Sequence, residues 1–398
     1  MSLRVALVLF LFASVACGQA DVTELPSPAG RDAMAPFLST ARDGRVLMSW
    51  LEPVAGKRYS LKFASYAKGS WTEARTIVTR DDFFVNWADF PSIVADARGT
   101  LFAHWLQKNG DGTYSYDVHV TSSPDGGKSW RPSRVLHTDG KQAEHGFVSM
   151  VPRERGVAIV WLDGREMTMD DAHGHGGGAM TVRYANLDPT LVTSGETLLD
   201  PRACECCTTA MTMTSSGPVV AYRDRSEEEI RDISVTRLLP GGRWSQPAPV
   251  HKDNWKINGC PVNGPQMDAR GGNVVVAWFT SGGGQPKVNV AFSKNAGASF
   301  AAPIRVDAGK PAGRADVQLL RDGSALVTWI ETQSEGASIM TRRVSPDGRM
   351  RDPKPLGSTT AARAAGFPRT TMVGDREVWF SWTEPGTPRK VRVAKLKV

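Results

Sequence analysis

An apolar strand ending in an aromatic residue recurs seven times along the chain, with anchors at Trp50, Trp105, Trp161, Tyr222, Trp278, Trp329 and Trp382. Neighbouring anchors are 51 (Trp278 to Trp329) to 61 (Trp161 to Tyr222) residues apart, a fixed period that is the mark of a repeat architecture. Each anchor strand follows a Gly-containing turn and precedes a polar loop, an alternating strand and a short strand with Pro nearby. Unit two reads PSIVAD, TLFAHWLQ, YDVHVTSS and SRVLH, and unit five reads GPQMDAR, NVVVAWFTS, KVNVAFSK and PIRVDA. Four short strands repeated radially are propeller blades. The expected fold is all-β, a seven-bladed β-propeller forming one domain over residues 21 to 398, with a six-bladed ring as the alternative.

The last unit supplies TTMV, EVWFSW and KVRVAKL and then stops one strand short. Val22-Thr23-Glu24-Leu25-Pro26 resembles TLLDP at 197 to 201 and is expected to complete that blade. Such a closure leaves no open sheet edge around the ring.

Residues 1 to 17 read as an export signal: Arg4, an apolar run from Val5 to Phe12, then small residues up to Ala16. Cys17 follows Ser-Val-Ala in the manner of a bacterial lipobox, so lipidation at Cys17 is expected. Ser14 departs from the apolar residue usual three places before the modified cysteine, and simple cleavage nearby is the other reading. Both place the protein in the periplasm or cell envelope, with the membrane reached through a lipid anchor only. The formal net charge of +7 is spread thinly, and neither a basic face nor a reader motif points to nucleic acid. A monomer is expected.

Ser123-Pro124-Asp125-Gly126-Gly127-Lys128-Ser129-Trp130 fits the pattern S-x-D-x-G-x-x-W, and Ser293 to Phe300 is a relaxed copy. The chain thereby resembles the sialidase-like, BNR or Asp-box repeat proteins across essentially residues 21 to 398. The resemblance implies that these boxes are structural turns between third and fourth strands. It also implies an exo-α-sialidase as one candidate activity, although the catalytic members have six blades. The Phe-Arg-Ile-Pro element of the family has only a faint echo in Phe367-Pro368-Arg369.

In a propeller, the connections between blades and the loops between second and third strands open on one face, where ligands bind. Three groups of residues fall there. Cys204, Cys206 and Cys207 lie in the connection from unit three to unit four, and Cys260 lies in the next. In an exported protein the default reading is two disulfides, one joining Cys260 to the triplet; four thiolates holding a metal, or redox chemistry, are the alternatives. The second group is the residue two places after each anchor: Glu52, Gln107, Asp163, Asp224, Thr280, Glu331 and Glu384. These either accept amides of their own loops or form an acidic mouth. The third group is the loop 163 to 180, whose Asp170, Asp171, His173 and His175 could ligate copper or zinc or lie free.

A catalytic reading draws on Asp224 and Arg223 in the charged loop of unit four, on Glu331, and on Arg314 and Arg369, which could clamp a substrate carboxylate. A binding reading needs no such constellation: a glycan, ligand or envelope protein would be recognised through the cysteine-bearing face. Metal or redox work by the cysteines is the third class, and the sequence names no cofactor.

Overall fold

The computed structural model describes residues 22–167 and 178–398 and contains seven antiparallel sheets arranged as the blades of a ring. Among these residues the only helical turns are the short 3₁₀ segments Gly282–Gly284 and Arg363–Ala365, and no helix is long and apolar enough to cross a membrane. The seven-bladed expectation holds, and the six-bladed alternative does not.

The innermost strands are Met34–Thr40, Ser92–Ala95, His145–Pro152, Ala210–Thr214, Gln266–Arg270, Pro311–Leu319 and Arg369–Val373. Each pairs with the anchor strand of its unit, followed by a third strand and, in all but the last blade, an outer strand from the same unit. Blade one carries two outer segments, Ser70–Trp71 and Arg75–Arg80, both pairing with Tyr59–Ala67.

Every anchor strand is covered on both faces by the neighbouring blades, so its sequence is a near-continuous apolar run rather than an alternation. Val157–Asp163 is buried at every position, and Ala325–Thr332 at all but the last. Three outer strands are cut short, Arg134–Val135, Ala248–Pro249 and Ile304–Arg305 having two residues each, which limits open edges, whereas Thr193–Ala203 of blade three runs for 11.

In four of the six anchor tryptophans the residue two places on accepts the indole N–H, whereas Trp278 donates to Asp253 at 2.7 Å and the buried Trp382 Nε1 has no hydrogen-bond partner among the described residues. Trp50 donates to Glu52 (3.0 Å), Trp105 to Gln107 (3.3 Å), Trp161 to Asp163 (2.8 Å) and Trp329 to Glu331 (2.6 Å). Alternation places both residues on one side of the strand, so in blades one, two, three and six the pairing is local.

The Asp box is the turn the sequence predicts. Asp125 accepts the Lys128 and Ser129 N–H groups, each at 3.0 Å, and two hydroxyls, while Gly127 N–H donates to Ser123 Oγ at 2.8 Å. Gly127 has φ +82°, and a Cβ there would collide with Phe63 of blade one, against which Trp130 packs edge-on at 5.7 Å. Asn295 repeats the arrangement by accepting Ser299 N–H at 3.0 Å.

Val22–Leu25 pairs antiparallel with the final strand Lys390–Lys397, Val22 opposite Leu396 and Leu25 opposite Val393. An ion pair between Glu24 and Arg392 spans the same ladder. The ring is closed by the joining of its two ends, as the truncated last unit predicts.

Candidate functional site: a cysteine-bearing mouth

The outer strand of blade three, Thr193–Ala203, leads straight into Cys204, Cys206 and Cys207 before blade four begins at Ala210. The following connection carries Cys260. Gly264 in that second connection lies against the Thr208 backbone so closely that a side chain has no room, which presses the two connections together. Arg223, fully buried, binds them further by donating to Asn263 O (3.0 and 2.6 Å), Arg231 O (2.6 Å) and Phe279 O (2.7 Å), while its guanidinium lies over Trp255.

The expected disulfides are not formed: all four cysteines are free. Cys204 Sγ lies 3.5 Å from Cys207 Sγ and 3.7 Å from Cys206 Sγ, and the three sulfurs fall within 4.8 Å of one another. A disulfide holds its sulfurs about 2.05 Å apart, so these are contacting thiols and not bridges. Cys260, on the neighbouring connection, lies outside this trio but close enough to Cys206 for the two thiols to influence each other. Cys204 and Cys207 are buried, Cys206 is partly accessible and Cys260 is exposed, so the group opens to solvent on the Cys260 side.

The four thiols do not titrate alike. Burial alone raises the Cys204 thiol, but hydrogen bonds from Cys206 and Cys207 and the charge of Arg231 outweigh it and hold Cys204 well below the ordinary thiol value. Burial and the contact with Cys204 push Cys206 and Cys207 up, and the interaction with Cys206 brings Cys260 down. Arg231 Nη1 donates to Cys204 Sγ at 3.2 Å and to Glu205 at 2.9 Å, and its other end binds Glu229 at 2.8 Å. Arg225 also pairs with Glu205 and Glu229. The charged loop of unit four is therefore a clamp around the cysteines.

Arg314, Glu331 and Asp224 are engaged in local hydrogen bonds, whereas the buried Arg369 Nε has no hydrogen-bond partner among the described residues. Arg314 spends its guanidinium on Ala361 O, Ala362 O and Gly366 O and lies over Trp87, with burial lowering its pKa to about 10. Arg369 lies over Phe37 and Phe90, 3.7 Å from Asp316, and lines a small axial cavity with Asp89 and Gln266. Glu331 accepts Ala308 and Lys310 N–H besides its indole. Asp224 accepts Ser234 Oγ and Arg225 N–H.

Tyr222 is tied to Asp200, whereas Tyr116, which the sequence reading did not single out, donates to Asp89 (3.1 Å) and Glu144 (2.8 Å). Tyr116 is fully buried, and burial between two carboxyls drives its phenol well above its usual value. Burial raises Asp89 to about 7 and Glu144 to about 8. Asp170, Asp171, His173, His175 and Cys17 lie outside the described residues.

No protein-family model and no curated protein matches the chain. Among solved structures, a protein of unknown function from Dyadobacter fermentans superposes with a TM-score of 0.51 at 14% identity, over 95% of this chain and 98% of that one. A mutant of the NanB sialidase from Streptococcus pneumoniae covers 96% of this chain and 71% of its own at 11% identity and a TM-score of 0.48. The phage phi92 endosialidase gives 8% identity, 95% and 69% coverage and a TM-score of 0.48. The likeness to the Dyadobacter protein is one of fold, and the chemistry rests on this chain's own residues.

Proposed function

We propose that this chain is an exported, lipid-anchored binding propeller of the cell envelope that works through its cysteine-bearing mouth, and that the ligand taken there is a thiophilic metal ion, Zn²⁺ or Cu⁺. The observation that carries the reading is the sulfur spacing. Four thiolates about 2.3 Å from a tetrahedral metal lie about 3.8 Å from one another, and the Cys204 contacts of 3.5 and 3.7 Å are close to that edge. Arg231 supports it by offsetting charge on a buried thiolate and by fixing Cys204 through a hydrogen bond, as outer partners of metal ligands do. Soft thiolate ligands favour Cu⁺ and Zn²⁺ over hard cations.

The test is metal analysis of protein purified without chelator, paired with thiol titration after denaturation. About one equivalent of Zn or Cu, lost in Cys204→Ser and Cys207→Ser, is expected, with Cys204, Cys206, Cys207 and Cys260 all titrating once the metal is removed. Absence of metal with four titrating thiols would sink the reading. Turnover of a fluorogenic sialoside, lost in Arg369→Ala, would favour the glycosidase instead.

A further inference from the structure

A second cluster lies on the same face, between blades two and three, and contains no cysteine. His137 and Asp139 belong to the connection between these blades. His145 opens the inner strand His145–Pro152, Asp117 sits at the start of Tyr116–Ser123, and Asp163 ends Val157–Asp163. The His137 and His145 rings stack with centroids 3.6 Å apart, and both side chains are buried.

The hydrogen bonding within it is unbalanced. His145 Nδ1 faces two backbone carbonyls, Ala143 O at 3.2 Å and Tyr116 O at 3.3 Å, and so carries its proton there. Its Nε2 makes a hydrogen bond with Asp139 Oδ2 at 3.2 Å and lies 3.6 Å from Asp163 Oδ1, so the ring is either protonated at both nitrogens or turns a lone pair on a carboxylate. His137 is the less satisfied of the two. Its Nδ1 donates to Asp139 Oδ1 at 2.5 Å, while the buried Nε2 has no hydrogen-bond partner and lies 3.4 Å from Asp117 Oδ1. Arg165 neutralises Asp163 at 2.6 and 2.8 Å, but among the described residues no Lys or Arg ion-pairs with Asp117 or Asp139. The ligand atoms of Asp139, His145 and Asp163 lie within 4.8 Å of one another, as do those of Asp117, His137 and His145, around the unpartnered His137 Nε2, and a divalent cation replacing ring protons satisfies them together.

We infer that His145 Nε2, Asp139 and Asp163, with His137 Nε2 and Asp117 beside them, form a binding site for a divalent cation of the zinc, cobalt or manganese class, separate from the thiols. The donor set is imidazole nitrogen and carboxylate oxygen, which suits these borderline ions and not Cu⁺. His145 also has the support usual for a metal-binding histidine, its other nitrogen donating to backbone carbonyls.

Co²⁺ is the probe, because its absorption distinguishes the two kinds of ligand. Titration of the reduced, chelator-stripped full chain is expected to fill one site with sulfur-to-metal charge-transfer absorption and another without it. His145→Gln and Asp139→Asn should weaken the second at least tenfold and leave the sulfur band intact, whereas Cys204→Ser should do the reverse. Unchanged nitrogen and oxygen binding in folded His145→Gln would overturn the site. So would a second ion lost on replacing His173 and His175 but kept in His145→Gln. Should the variants not fold, X-ray absorption of the wild-type chain loaded with two equivalents decides: no nitrogen or oxygen shell, no site. The sulfur band is scored separately, so failure here leaves the thiol reading standing.

Discussion

Arg231 Nη1 lies 3.2 Å from Cys204 Sγ and 2.9 Å from Glu205, so one buried guanidinium serves a thiol and a carboxylate at once. Its replacement separates two effects. Arg231→Met leaves Glu205 with Arg225 alone and removes a charge-assisted bond from the sulfur; loss of one partner of a buried pair costs about 3 kcal/mol. The expected result is a lower urea midpoint together with weaker competition against a chromophoric zinc chelator. Arg231→Lys, which keeps the charge but not the fork, should recover part of the first and less of the second.

Asp89 and Glu144 give the stability a pH signature. Burial raises their folded-state values to about 7 and about 8, above the ordinary 3.8 and 4.5, so the folded chain retains protons that the unfolded chain releases. Their contribution is fully present below about pH 4 and is lost as pH rises toward 7 and 8, at up to about 1.4 kcal/mol per pH unit for each group. Urea unfolding at pH 5 and pH 8 should show wild-type losing more stability over that interval than Asp89→Asn or Glu144→Gln. An equal loss would mean that neither carboxyl is held neutral in the fold.

Gly127 tests the structural nature of the Asp box. Its φ of +82° and the Phe63 ring together leave no place for a methyl group, so Gly127→Ala should cost about 3 kcal/mol or more and lower the melting temperature, with metal content unchanged. The box lies at the end of its blade opposite the cysteine mouth, which is why the two readouts should separate.

Glu331 accepts Trp329 Nε1 at 2.6 Å, Lys310 N–H at 2.5 Å and Ala308 N–H at 3.3 Å, donors only. Glu331→Gln offers one acceptor where two are used and turns an NH₂ toward an N–H. A loss of about 1 to 3 kcal/mol in chemical unfolding is expected, with no change in metal affinity.

The ring was legible because what defines it is local. A Trp whose indole is accepted two residues later, a two-glycine turn held by Asp125 and a terminal unit one strand short all lie within a few residues of sequence. That the connection carrying Cys260 lies against the one carrying the triplet also followed from the repeat, because successive connections are neighbours. The state of the sulfurs did not follow: it depends on tenths of an ångström in the Cys204 to Cys207 turn and on Arg231, brought in from another loop. Arg314 was misleading for a related reason, since a guanidinium can be used up by carbonyls of the Ala361 to Gly366 turn that composition does not reveal. His137 and His145 were missed, although Leu-His-Thr-Asp and Glu-His fall within one connection and Asp163 already stood in the ring of anchor partners. Only the packing of two blades brings them together.

The pairing of Val22–Leu25 with Lys390–Lys397 also sets an order of events. A chain that emerges amino end first must keep this segment unpartnered until nearly every other residue has appeared. The circle is then completed in one late step, and a cut a few residues before the carboxyl end would undo what the first residues had waited to do.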